Sequence, residues 1–248
     1  MSPETPPMLV FAHRGASAAA PENTLRAIRR AIDMGADWIE IDVQQVQNTL
    51  VVFHDDTLER TTNGRGPLAA RTLTELRSLD AGDGERIPLL SEVLDLIDAR
   101  VGLNIELKGP DVAAPVVALV RGLLQRRPAW RERLLLSSFD VAQTEHAACD
   151  RDGWKLGILF EERADAAMER AIALGADSLH VSREMLSPAL LSAAHRAGLA
   201  VYVYTVNTAE DLARCLALGV DGVFSDVPDR ALALRNSYAN THAGARAP

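Results

Sequence analysis

The sequence predicts a (β/α)8 TIM barrel, and three observations carry that prediction. Short strand-like runs alternate with amphipathic helical ones from end to end, the order expected of parallel βαβ units. A weak repeat recurs three times, AIDMGADWIEID at 31–42, AIALGADSLHVS at 171–182 and CLALGVDGVFSD at 215–226. Each copy reads as a helix end, a glycine stop and a strand, with Gly35, Gly175 and Gly219 at the position where a helix end needs a left-handed residue. About eight such units in roughly 230 residues match the barrel. The runner-up, a doubly wound open sheet, is expected to carry a glycine-rich dinucleotide loop after its first strand, and none follows residues 8–12.

The elements follow in order. The first strand, 8–12, ends in His13-Arg14-Gly15, and a helix capped by Asn23 or Thr24 runs to Met34. In the strand 38–43, Glu40 and Asp42 are two residues apart and share one face, while Ile39, Ile41 and Val43 share the other. The apolar face must meet the helices, so both carboxylates point to the barrel axis near the strand's C-terminal end, where such barrels place their active sites. A turn at Gln47-Asn48-Thr49 leads to a strand at 50–53 that ends in His54-Asp55. Thr49 suits a left-handed turn position less well than glycine, so this hairpin is expected to be unusual. From 55 to 100 the rhythm breaks into turns and two short amphipathic helices, 72–79 and 91–99, which reads as a small insertion in an early βα loop, placed to cover the barrel mouth. The strand 101–108 turns Asn104, Glu106 and Lys108 inward by the same alternation. Strands at 134–138, 155–160, 178–181, 200–205 and 222–225 complete a single domain over 8–235, and the small, polar, aperiodic tail 236–248 is expected to lack order.

Composition narrows the function. With 48% hydrophobic residues in 248, the chain has ample material for a core, which excludes general disorder. Twenty-six basic and 34 acidic side chains leave a net charge of −8, which argues against a nucleic-acid partner or stable membrane association. Any phosphate contact must therefore be local. The basic set is 24 arginines and two lysines, Lys108 and Lys155, so a lysine on an inward strand face stands out. Cys149 and Cys215 are too few for a disulfide scaffold. Residues 1–7 show no basic cluster leading into an apolar run, and no run reaches the ~18 apolar residues of a membrane span. A cytoplasmic location is the expectation.

Three carboxylates at one barrel mouth repel one another unless a proton or cation is bound, and hard oxygen ligands select Mg2+ or Ca2+. The structural alternative pairs each carboxylate with an arginine; three on matching faces beside a lysine favour the cation. His13 and His54 end strands at the catalytic rim, where an imidazole can exchange protons near neutral pH. His146, His180, His195 and His242 read as structural residues without partners. Glu22 suits capping or support better than direct catalysis, and Asp55 either steadies His54 or belongs to the turn.

The ordered series His13-Arg-Gly15, Pro21-Glu-Asn-Thr24, Glu40-Ile-Asp42, His54-Asp55, Arg60-Thr-Thr-Asn-Gly64, Ile105-Glu-Leu-Lys108, Ser137-Ser-Phe139, Thr205-Val-Asn207 and Gly219-Val-Asp-Gly222 resembles the glycerophosphodiester phosphodiesterases. The resemblance spans about residues 8–234. It implies a metal-dependent (β/α)8 barrel that hydrolyses glycerophosphodiesters to an alcohol and sn-glycerol 3-phosphate. It further implies Glu40, Asp42 and Glu106 as ligands of one divalent cation, His13 and His54 as the acid/base pair, and Arg14 and Lys108 as phosphate contacts. In the family's usual account the glycerol 2-hydroxyl attacks first and water opens the cyclic phosphate, with direct water attack as the alternative. Phe139 and Tyr204 either contact glycerol or pack at the rim. The chain departs from the family pattern at Gln47-Asn48-Thr49, where Lys-Asp-Gly is common, and at Tyr204, where Trp is common. Two rival functions are a lysophospholipase D, whose substrate keeps an acyl chain and needs an apolar groove, and a non-catalytic glycerophosphodiester-binding barrel, which needs no proton-transfer pair.

Overall fold

Strand and helix follow one another in the computed structural model, which describes residues 7–149 and 151–243, in the order β1 (Leu9–Ala12), α1 (Leu25–Met34), β2 (Trp38–Val46), β3 (Thr49–Val52), α2 (Leu73–Ser78), α3 (Leu90–Ile97), β4 (Gly102–Leu107), α4 (Ala113–Arg126), β5 (Leu134–Ser138), α5 (Val141–Ala148), β6 (Lys155–Phe160), α6 (Ala164–Ala173), β7 (Ser178–Ser182), α7 (Pro188–Arg196), β8 (Ala200–Tyr204), α8 (Ala209–Leu218), β9 (Gly222–Ser225) and α9 (Pro228–Ala243). Among the described residues, eight strands pair in parallel in the order β1-β9-β8-β7-β6-β5-β4-β2, and β1 pairs with β2 to close the barrel. The predicted (β/α)8 architecture is the one observed. No helix among the described residues is long and apolar enough to cross a membrane.

Two layers of side chains hold the barrel. Outward-facing Ile39, Ile41, Val43, Leu103, Ile105 and Leu107 are buried with apolar residues of the helices. Inside, the N-terminal end is filled by a separate cluster of Phe11, Trp38, Leu135, Tyr202 and Phe224, with Phe11 ring centroids 4.8 Å from Tyr202 and 4.7 Å from Phe224. The barrel is therefore plugged below and polar above. Gly102 makes the plug possible. A Cβ there would stand 2.1 Å from the Trp38 ring.

Helix ends behave as the repeat predicts. Thr24, rather than Asn23, caps α1, accepting from Ala27 N. Gly35, Gly175 and Gly219 have φ of +81°, +60° and +77°.

Three expectations change. The insertion is shorter than 55–100, because α3 (the 91–99 helix) is the barrel's second helix, with Leu90, Val93, Leu94 and Ile97 in the main core. The insertion proper has its own small core of Val46, Val51, Phe53, Leu58, Leu68, Leu76, Ala81 and Ile87, built on the β2–β3 hairpin. An amphipathic pattern shows that a helix has a buried face but not which core receives it. In the hairpin, Val46 faces Thr49 across a two-residue loop, and Gln47 and Asn48, with φ of +48° and +62°, hold the left-handed positions. Thr49 is ordinary strand. The tail expectation is corrected over 236–243, which continue α9 without a glycine or proline to stop the helix. Arg235 ties this helix to Asp37 and to the carbonyl of Met8 at 3.1 Å. Residues 244–248, like 1–6, lie outside the described residues.

Candidate active site

Parallel register brings the carboxylates together. Glu40 stands opposite Asn104 and Asp42 opposite Glu106 on neighbouring β2 and β4, all on the inward face. One oxygen each from Glu40, Asp42 and Glu106 lies within 4.8 Å of the others, and the residues are only 2%, 1% and 8% exposed. Burial together with the charges of Asp42 and Glu106 pushes the Glu40 carboxyl up to about 8, although His13 and Arg14 oppose the shift. Burial and Asp42 likewise raise Glu106, against the pull of Lys108. Glu40 Oε1 and Glu106 Oε1 accept no hydrogen bond, although Lys108 Nζ sits 2.9 Å from the latter. Three buried carboxyl groups packed together, with Glu40 Oε1 left without a donor, fit a hard divalent cation, and Glu40, Asp42 and Glu106 are the residues that can hold one.

The Pro21-Glu-Asn-Thr24 stretch divides its labour. Asn23 Nδ2 donates to Asp42 Oδ2 at 2.9 Å, while its Oδ1 accepts from Asp42 N at 3.2 Å. Glu22 accepts from both Arg14 and Arg60, each contact at 2.7 Å. It supports, as expected. Arg14 N also donates to Glu40 Oε2 at 2.9 Å, and Arg14 Nε lies 3.3 Å from Asp42 Oδ2. Gly15, with φ +80°, lets this turn press on α1; a Cβ there would meet Ala27 C at 2.6 Å.

Each rim histidine is fixed by its own carboxylate. His13 Nδ1 lies 2.7 Å from Asp226 Oδ1, which also accepts from Ser17 Oγ at 3.0 Å, while Asn207 Nδ2 donates to Oδ2 at 2.6 Å. Burial alone would lower the His13 pKa, but the Asp226 hydrogen bond and Glu40 charge outweigh it and raise it. Burial would likewise raise Asp226, yet His13 and Asn207 hold it at about 2. His54 Nδ1 lies 2.6 Å from Asp55 Oδ1, and Arg60 clamps both oxygens of Asp55 at 2.6 and 2.8 Å. Asp55 thus steadies the ring. Burial lowers the His54 pKa, with Arg14 and Lys108 adding to it against Asp42 and Asp55.

His13, Arg14, Glu40, His54, Glu106, Lys108, Phe139 and Tyr204 all line one cavity of about 450 Å3, with Asp42 completing the carboxylate cluster beneath it. Phe139 and Tyr204 thus stand at the cavity wall, with centroids 6.0 Å apart at 84°. Sequence reasoning missed Asp226, and it quoted Arg60 and Asn207 only within motifs, without assigning them a role. Asp226 had a usable signal: it follows β9 as His13 follows β1, and a polar residue just past a strand is the pattern that singled out the histidines. Two other histidines do have partners, contrary to expectation: His195 Nε2 lies 2.8 Å from Asp221 Oδ2, and the buried His180 lies 3.0 Å from Ser178 Oγ.

The family model described as the glycerophosphoryl diester phosphodiesterase family matches residues 13–230. A glycerophosphodiester phosphodiesterase of Caldanaerobacter subterraneus subsp. tengcongensis is 37% identical over 232 residues, covering 89% of this chain and 95% of that protein. Another, from Bacillus subtilis, is 30% identical and covers 93% of this chain and 87% of its own. Among solved structures, an Oleispira antarctica phosphodiesterase in complex with the product sn-glycerol-3-phosphate superposes with a TM-score of 0.85 at 32% identity, over 93% of this chain and 97% of that one. A glycerophosphodiester phosphodiesterase from Agrobacterium tumefaciens gives a TM-score of 0.78 at 31% identity, over 90% and 97%. The family match begins at His13, just past β1, and reaches beyond β9, and the chain belongs to the glycerophosphoryl diester phosphodiesterase family.

Proposed function

We propose that this protein hydrolyses glycerophosphodiesters to an alcohol and sn-glycerol 3-phosphate, with Mg2+ or Ca2+ held by Glu40, Asp42 and Glu106. One observation carries the reading: two histidines, each locked through Nδ1 by a carboxylate, flank a buried three-carboxylate cluster in a single cavity. Locking Nδ1 leaves each Nε2 for the substrate, and two such groups suit an attacking hydroxyl and a leaving alcohol. Arg14 offers a fork and Lys108 a point charge to the phosphate. In the site, a divalent cation would offset the charge that builds on the phosphoryl oxygens. A glycerol 2-hydroxyl held in line would make the first step intramolecular, with direct water attack as the alternative.

The rivals fare less well. A binding barrel has no use for two fixed proton-transfer groups. For a lysophospholipase D, the recess beyond Phe139 offers Val141, Leu159 and Phe160, but Glu161, Glu162, Arg163 and Arg170 border it too. The test is glycerol 3-phosphate release from glycerophosphocholine and glycerophosphoethanolamine, with and without chelator. Release that chelation abolishes and added cation restores is expected. Release that survives exhaustive metal removal would overturn the metal assignment, and no release from any diester would overturn the activity.

A further inference from the structure

One motif of the sequence has no part in the reaction as described: Arg60-Thr61-Thr62-Asn63-Gly64, in the insertion. Three of its residues build a turn. Thr62 Oγ1 donates to Leu58 O at 2.7 Å and accepts from Gly64 N at 2.9 Å. Asn63 N donates to Asp80 O, and Asn63 Oδ1 accepts from Asp80 N, both at 3.0 Å. Gly64 lets the turn sit close on the insertion; a Cβ there would stand 2.7 Å from Leu79 Cδ1. Leu58, just ahead of Arg60, is 1% exposed in the insertion's own core. The backbone that carries Arg60 is therefore tied down on both sides.

The Arg60 side chain points the other way, to the barrel mouth. Its Nε and Nη2 donate to Asp55 Oδ2 and Oδ1 at 2.6 and 2.8 Å, and its Nη1 and Nη2 donate to Glu22 Oε2 and Oε1, both at 2.7 Å. Behind each carboxylate stands a group assigned to the reaction. Asp55 Oδ1 lies 2.6 Å from His54 Nδ1, and Glu22 Oε1 accepts from Arg14 Nη1 at 2.7 Å. The two oxygens that make these onward contacts, Asp55 Oδ1 and Glu22 Oε1, share the single nitrogen Nη2. Without the guanidinium they would face each other as like charges, and the loops that carry them would repel. The Arg60 hydrogen bonds hold the Asp55 carboxyl well below the usual carboxylate range. Burial would raise Glu22, but Arg60 and Arg14 outweigh it and hold it low. A planar fork meets two carboxylates edge-on at once, which the point charge of a lysine does not reproduce.

We infer that Arg60 is a positioning residue that sets His54 through Asp55 and Arg14 through Glu22. The insertion thus braces the acid–base group and the phosphate-binding group against each other. This rests on the phosphodiesterase reading above.

The test uses Arg60→Ala and Arg60→Lys with glycerophosphoethanolamine. Both are expected to lose at least about tenfold in kcat/KM. Arg60→Lys keeps the charge without the fork, and carries the test should Arg60→Ala fail to fold. The Arg60 side chain is 49% exposed and borders an open groove with Ser17, Pro21 and Thr61, so an added guanidinium ion can reach its place. Guanidinium at millimolar, non-denaturing concentration should restore part of the Arg60→Ala rate, and ammonium at the same concentration should not. In an Asp55→Asn, Glu22→Gln background, Arg60→Ala should cost less than about threefold more, because nothing is left for it to hold. A smaller first loss, no rescue, or a loss in that background as large as in the wild type would overturn the inference. Nitrogen NMR of the His54 ring gives a readout apart from turnover: the Nδ1–H tautomer should dominate in the wild type and give way in part to Nε2–H in Arg60→Ala. An unchanged tautomer would count against the brace. If the wild type releases glycerol 3-phosphate from no diester, the hydrolase reading fails, and the tautomer alone then decides whether Arg60 sets His54.

Discussion

His13 Nδ1 and Asp226 Oδ1 lie 2.7 Å apart although 213 residues separate them along the chain. Closure of the barrel joins them: Ala12 on β1 pairs with Ser225 on β9, so the residues that follow each strand emerge side by side at the rim. Asn207 and Ser17 then hold the carboxylate, and the carboxylate holds the ring.

If His13 transfers protons as proposed, Asp226 acts by positioning it, and Asp226→Asn should show it. Turnover is expected to fall roughly 10- to 100-fold, less than the loss of a general acid–base group itself. Removing the negative partner removes the largest of the effects that raise the His13 pKa, leaving that of Glu40, so the limb of the pH–rate profile that belongs to His13 should move to lower pH. An unchanged profile with reduced rate would assign Asp226 a purely structural role.

His54 and Glu106 should separate by readout. His54→Ala is expected to cost on the order of 100- to 10,000-fold in kcat while calorimetric cation binding stays near wild type. Glu106→Ala should weaken cation binding directly, since it removes one of the three clustered carboxylates. Near-normal activity in His54→Ala would refute its proton-transfer role.

Cation binding should also govern how stability depends on pH. The Glu40 carboxyl stands at about 8 in the folded protein against 4.5 as its ordinary value. A raised carboxyl pKa means the folded state holds the extra proton between those values, so the contribution of Glu40 to stability falls as pH rises from 4.5 to 8, while the buried His180, held at about 3 against 6.5, contributes a rise up to 6.5. The slope approaches about 1.4 kcal/mol per pH unit for one proton. In chelator, the Tm of wild type relative to Glu40→Gln should fall across that window, and added Mg2+ or Ca2+ should raise the wild-type Tm most at the high-pH end. Melts of the wild type and Glu40→Gln that run parallel in chelator would contradict it.

Gly102→Ala tests the barrel plug. The added Cβ would fall 2.1 Å from the Trp38 ring, inside a fully packed layer. Overpacking of this kind costs about 1–3 kcal/mol, seen as a lower denaturation midpoint with the denaturant slope unchanged. A midpoint equal to wild type would show that Trp38 can move at no cost.

The barrel, the strand ends and the inward carboxylates were legible in the order of residues, because period-two alternation places Glu40, Asp42, Glu106 and Lys108 on a face and the apolar residues between them decide which face is buried. Strand-terminal His13 and His54, and the glycine stops before the strands at 38, 178 and 222, follow from equally local rules. Three things needed the fold. That α3 serves the barrel and not the insertion depends on which core its apolar face meets. The link from His54 through Asp55, Arg60 and Glu22 to Arg14 joins two loops, and no local pattern records such a pairing. Asp226 reaches His13 only when the last strand closes against the first. Local sequence determines where side chains point along one strand; which of them meet is set by register and closure between strands far apart in the chain.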